Sequence, residues 1–131
     1  MFKVAIVDDN LEFLAQEKDL IKSYLDEQML EYEIYTFNSS VEFECRMDNG
    51  KDSGYYDLYL LDIEMPGTSG LELAQNIRCK FPDPYIIFVT AHKGYSIEGY
   101  KHRAFYYVVK SDLTKMLMEA LKLIIEEKKE S

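Results

Sequence analysis

Basic charge is scarce in this chain: 15 Lys and Arg stand against 24 Asp and Glu, a formal net charge of −9. Nucleic acids are gripped through clustered Lys and Arg, so direct nucleic-acid contact by this chain is not expected. Cysteine is nearly missing as well. Cys45 and Cys79 are isolated, with no C-x-x-C spacing and no histidine at ligand distance in the sequence. That pattern disfavours a redox or disulfide role, and both are expected as reduced thiols at the edge of the core. Long apolar runs are also lacking. The longest are strand-sized, well short of the ~20 residues that a membrane-crossing helix needs. No charged and then apolar leader precedes the first strand, which begins at Phe2, so no signal peptide is read. A cytoplasmic protein without membrane association is expected.

What is present suits one globular domain: 131 residues, 47% hydrophobic and 30% charged, enough for a core without disulfides or a structural metal. Phe2–Val7 is a short apolar run broken only by Lys3, as expected of a strand buried on both faces. Leu11, Leu14, Ala15, Lys18, Ile21 and Leu25 follow near helical spacing, with Asn10 as N-cap. Tyr32–Phe37 reads as a half-exposed strand. A second helix opens at Ser39 and Ser40, where Ser39 and Glu42 have the form of a capping box. Residues 49–54 carry loop chemistry.

Strand three is expected over 56–61, and Leu71, Ala74 and Ile77 stripe the third helix, which ends at Phe81-Pro82-Asp83-Pro84. Strands follow over 85–89 and 105–109, separated by a weak helix over 94–102. Leu113, Met116, Leu117, Ala120, Leu121 and Ile124 mark an amphipathic last helix. Five β-then-α units without repeats or low-complexity segments predict an α/β fold: a five-stranded parallel sheet with helices on both faces. Right-handed crossovers favour the flavodoxin-like order 2-1-3-4-5.

That topology gives the polar residues behind the strands their meaning. Asp8 and Asp9 follow the first strand, Asp62 the third, Thr90 the fourth and Lys110 the fifth. In open parallel sheets ligands bind outside the carboxyl ends of the strands, at the switch point, here between strands one and three. Three neighbouring carboxylates call for a raised pKa or a bound cation. Magnesium fits best, because it takes one or two carboxylates and keeps waters that a phosphate can displace. Zinc does not, since no His or Cys joins the cluster. One aspartate is a candidate nucleophile towards phosphorus, giving an acyl phosphate. Asp62 stands alone after its strand and suits that task, whereas paired Asp8 and Asp9 suit the metal. Lys110 would neutralise phosphoryl oxygens, the Thr90 hydroxyl would donate to one, and small Ala91 would leave the approach open. Taken singly, Asp8-Asp9-Asn10 reads as a turn and helix cap, and Lys110 as a solvated lysine. Their common register is what argues for chemistry. His92 and His102 are read as rim or surface residues, with Glu64 and His92 facing each other at the entrance.

At these residues the chain resembles the receiver domain of bacterial two-component response regulators. The likeness rests on Asp8-Asp9, on Asp62-Ile63-Glu64-Met65-Pro66-Gly67-Thr68-Ser69-Gly70, on Val89-Thr90-Ala91 and on Val108-Val109-Lys110, and spans essentially the whole chain. Residues 104–110 are similar to receivers that carry a LytTR-type DNA-binding output domain. The resemblance implies a receiver over 1–125 and the start of a linker or tail over 126–131. It implies Asp62 as phospho-acceptor, and magnesium on Asp9, Asp62 and the Glu64 main-chain carbonyl, with Asp8 reaching it through water. Thr90 and Tyr107 would be the switch pair and Lys110 the phosphoryl partner. A sensor histidine kinase, or a small acyl phosphate, would be the donor. The only catalysis implied is phosphorylation and dephosphorylation of the protein itself, regulating transcription through an output domain absent from this chain.

Such receivers commonly pair through the region of 94–102, strand five and the last helix, and Tyr95, Ile97, Tyr100, Tyr106, Met118 and Leu123 offer apolar groups there. A homodimer is therefore expected. Tyr107 is expected outward, or in mixed rotamers, without phosphate. One position departs from the pattern: Ser111 stands where the family usually has proline. A trans bond is expected before it, because cis before a non-proline residue costs roughly 2.5–4 kcal/mol. Ser111 would then cap the last helix. Two other classes remain open. One is a phosphatase of the haloacid dehalogenase kind, whose acidic motifs come in the opposite order. The other is a receiver-like scaffold without phosphorylation.

Overall fold

The computed structural model describes residues 1–49, 55–92 and 106–130. Its strands are β1 (Phe2–Val7), β2 (Tyr32–Phe37), β3 (Leu58–Asp62), β4 (Tyr85–Thr90) and β5 (Tyr106–Val109). Its helices are α1 (Leu11–Glu27), α2 (Ser40–Asn49), α3 (Gly70–Lys80) and α4 (Leu113–Glu130), the last preceded by a 3-10 turn over Lys110–Asp112. The strands form one parallel sheet in the order β2-β1-β3-β4-β5, as expected. The weak helix over 94–102, with Tyr95, Ile97, Tyr100 and His102, lies outside the described residues.

Alternation along the strands builds two cores. Val4 and Ile6 of β1, Leu58 and Leu60 of β3, and Ile87 and Val89 of β4 point to one face, where α1 and α4 cover them. Ala5, Val7, Tyr59, Leu61, Ile86 and Phe88 point to the other, under Phe43 and Met47 of α2 and Leu73, Ala74 and Ile77 of α3. Both faces are covered, so central strands must be apolar throughout, and β3 is buried at every position.

Several local expectations change. β3 begins at Leu58, not at residue 56: the Asp57 carboxylate accepts from the Lys3 N–H at 2.9 Å, and Tyr56 N–H donates to the Tyr59 hydroxyl at 3.0 Å, which bends the chain before the strand. The buried side of α1 is Leu14, Glu17, Ile21 and Leu25, while Leu11, Ala15 and Lys18 are exposed. Both cysteines are exposed, not edge-of-core residues. Met118 packs against the core. No peptide bond among the described residues is cis, so Lys110–Ser111 is trans. Ser111 lies inside the 3-10 turn and does not precede the helix as a cap. Helix α4 continues to Glu130, so residues 126–130, read as the start of a linker or tail, are helical.

Candidate functional site

Asp8 follows β1 directly, its N–H donating to the Phe37 carbonyl at 3.1 Å. Its Oδ1 accepts from the Asn10 N–H at 2.9 Å, and the Asn10 side chain in turn accepts from the Phe13 N–H, capping α1. This turn leaves Asp8 fully buried and Asp9 exposed at the mouth. Asp62 ends β3 and is buried. One oxygen from each of Asp8, Asp9 and Asp62 lies within 4.8 Å of the others, an all-oxygen set able to hold a cation. Lys110, at the end of β5, closes the group: its Nζ is 3.2 Å from Asp8 Oδ2 and 3.4 Å from Asp62 Oδ2. The ammonium also sits 4.6 Å from the centre of the Phe13 ring.

Burial and like charge dominate the electrostatics. Desolvation, then the neighbouring Asp8, push the Asp62 carboxyl up to about 8, with Lys110 acting in the opposite direction. Desolvation alone would lower Lys110, but Asp8 and Asp62 outweigh it and hold its pKa above the usual value. Carboxylates crowded in this way favour a divalent cation, whose charge removes the repulsion. The donor set therefore fits magnesium: hard oxygens, no soft ligand and an open side at Asp9.

The other expected residues fall around this centre. Thr90 is fully buried at the end of β4, its Oγ1 accepting from the His92 N–H at 3.1 Å. Ala91 is exposed beside it. His92 Nε2 and Glu64 Oε1 meet at 2.9 Å at the rim, as their expected opposition requires. Tyr107 departs from expectation. Its hydroxyl is buried and its ring stands edge-on to Phe88, 6.1 Å between centres, so it is inward, held by the core on the α2–α3 side.

Sequence reasoning missed Glu17. It is 1% exposed, and burial, then Asp8, push its carboxyl up to about 10. At neutral pH it is therefore uncharged, with a proton that can be donated to Asp8 beside it. The signal was its place three residues after Leu14 and four before Ile21, on the buried side of α1.

Gly70 explains the tight return from β3 into α3. A Cβ there would stand 2.3 Å from the Asp62 carbonyl oxygen, and the Gly70 N–H donates to the Ile63 carbonyl at 3.0 Å. The approach of α3 to the end of β3 requires glycine.

Comparison with known proteins agrees with this geometry. Residues 4–122 match the family model of the response regulator receiver domain. The transcriptional regulatory protein NatR of Bacillus subtilis is 34% identical over 110 residues, covering 84% of this chain and 44% of that protein. YpdB, a transcriptional regulatory protein of Escherichia coli, is 34% identical over 122 residues, covering 89% of this chain and 46% of its own. The chain thus spans less than half the length of these relatives. Among solved structures, the response regulator TrrA of Thermotoga maritima, in complex with Mg(2+)-BeF, superposes with a TM-score of 0.71 at 38% identity, covering 95% of this chain and 99% of that one. With its sheet order, its acidic crevice and a match over nearly its full length, this chain belongs to the response regulator receiver domain family.

Proposed function

We propose that this receiver is a phosphorylation-controlled switch in which Asp62 accepts a phosphoryl group from a sensor histidine kinase. One observation carries the reading: Asp62 ends β3 within reach of Asp8, Asp9 and the Lys110 ammonium, while Thr90 ends the neighbouring strand. In the transfer, an Asp62 carboxylate oxygen attacks phosphorus as the P–N bond to the donor's histidine breaks, leaving an aspartyl phosphate and a free imidazole. Asp9, Asp62 and the Glu64 main-chain carbonyl would hold magnesium, with Asp8 reaching it through water; bound there, the ion supplies charge neutralisation for the phosphoryl oxygens. Lys110 pairs with one phosphoryl oxygen and the Thr90 hydroxyl donates to another. That pull on Thr90 is the signal, and Tyr107, already inward, is the aromatic that responds to it. The catalysis is confined to the protein's own phosphorylation and dephosphorylation.

The receiver unit covers 1–125, and residues 126–130 continue its last helix. The whole protein acts in the cytoplasm on transcription, through an output region of the LytTR type, and this chain makes no direct nucleic-acid contact. No described helix is long and apolar enough to cross a membrane. Incubation with acetyl phosphate and magnesium, read by intact mass, tests the proposal. Addition of one phosphoryl group, lost in Asp62→Asn, supports it. Steady hydrolysis of phosphate esters would instead indicate a phosphatase, and no change at all a scaffold.

A further inference from the structure

Outside the acidic crevice, one buried polar side chain has no part in the chemistry above. Ser40, the first residue of α2, is fully buried. Its hydroxyl donates to the Pro66 carbonyl at 3.2 Å and accepts from the Thr68 N–H at 3.2 Å. A serine hydroxyl can do both at once, whereas alanine can do neither. Between the two bonds lies Gly67 at φ +82°, where a Cβ would stand 3.4 Å from Ser40 Oγ. The left-handed turn and the hydroxyl are therefore fitted to each other.

The place of this clamp matters. The segment from Asp62 to Gly70 is anchored at its start, where Ile63 N–H donates to the Val89 carbonyl at 3.0 Å, and at its end, where Gly70 N–H donates to the Ile63 carbonyl at 3.0 Å. Glu64 lies in the span between, which Ser40 holds from α2, 26 residues away along the chain. Ser39 caps that helix, its hydroxyl accepting from the Glu42 N–H at 3.1 Å, so the helix start that carries Ser40 is itself held.

We propose that Ser40 is a positioning residue for the site: through Pro66 and Thr68 it holds the Glu64 main-chain carbonyl where it can bind the divalent cation. Helix α2, which supplies no group to the crevice, thereby takes part in metal binding. This rests on the magnesium reading above.

Magnesium titration of the whole chain, followed by amide NMR shifts, tests it, with phosphorylation by acetyl phosphate measured alongside. In Ser40→Ala the magnesium Kd is expected to rise about three- to tenfold, the loss of roughly one net hydrogen bond. Phosphorylation at saturating magnesium is expected to stay within about twofold of the unaltered protein. A purely structural role would lower melting temperature and leave the Kd unchanged, and that result overturns the proposal. If Ser40→Ala does not fold, Ser40→Cys, close in size with a weaker donor and acceptor, is judged by the same Kd. Failure of the unaltered chain to bind magnesium would remove the underlying reading instead.

Discussion

His92 Nε2 stands 2.9 Å from Glu64 Oε1, joining the segments that leave β4 and β3 above the acidic crevice. Both side chains are largely open to solvent, 62% and 47% exposed, so the pair is worth at most about 1 kcal/mol to the fold. On the proposed function its consequence is kinetic: water would pass this rim to reach a phosphoryl group on Asp62. Glu64 puts negative charge beside that dianion, and a lysine there would offset it. His92→Ala and Glu64→Lys are expected to change the lifetime of the phosphorylated form, with melting temperatures within about 4 °C of the original. Dephosphorylation rates unchanged in both variants would remove the pair from the site.

The two kinds of aspartate should separate in experiment. Asp62→Asn is expected to abolish phosphate uptake, while Asp9→Asn weakens magnesium binding and leaves slow phosphorylation at high magnesium. Intact mass and metal titration read the two effects. Uptake of phosphate by Asp62→Asn at the original rate would show that another residue is the acceptor.

Stability without metal should fall as pH rises. Asp62 and Glu17 are both raised in the folded chain, to about 8 and about 10. A raised carboxyl stabilises the fold fully below its unfolded value, and the contribution is lost as pH climbs through the folded one. For Asp62 the decline spans the range from its ordinary value of 3.8 to about 8, and Glu17 extends it towards about 10. Melting in a chelator from about pH 5 to about pH 9 is expected to show this fall. Asp62→Asn should flatten it below about pH 8, Glu17→Gln across the whole range, because its own window runs from 4.5 to about 10, and magnesium most of it. A melting temperature that rises over the same range would contradict the assignment.

Phosphorylation should favour pairing of two copies through the face that includes β5 and α4. Tyr106 is half-buried there, its hydroxyl donating to Glu119 at 3.3 Å, and Leu123 of α4 is 46% exposed. Leu123→Glu is expected to weaken the dimer without affecting phosphorylation. Thr90→Ala should still take up phosphate and dimerise less, since in the proposed switch the signal would pass through its hydroxyl. Sedimentation of the phosphorylated protein at tens of micromolar is the measurement, and monomer alone would count against this face.

Asp8, Asp9, Asp62, Thr90 and Lys110 could be read from the chain because each follows an apolar strand. In a parallel sheet the ends of neighbouring strands lie side by side, so position along the chain converts directly into position in the crevice. The preference for right-handed crossovers made the strand order legible. Tertiary packing decided the rest. Glu17 was obscure because helix rotation, set by the fit of α1 against the sheet and α4, turned it inward and left Lys18 outside. Ser40 looked like part of a helix start, and only the return of the chain at Pro66 and Thr68 gave its hydroxyl two partners. Tyr107 differs from its expected outward pose for a similar reason: β5 is short and half-exposed, so contact with Phe88 settles which way its ring lies. Strand register is local and can be read along the chain. Helix rotation, loop clamps and edge-strand rotamers depend on partners far apart in sequence, and these form only when the layers close.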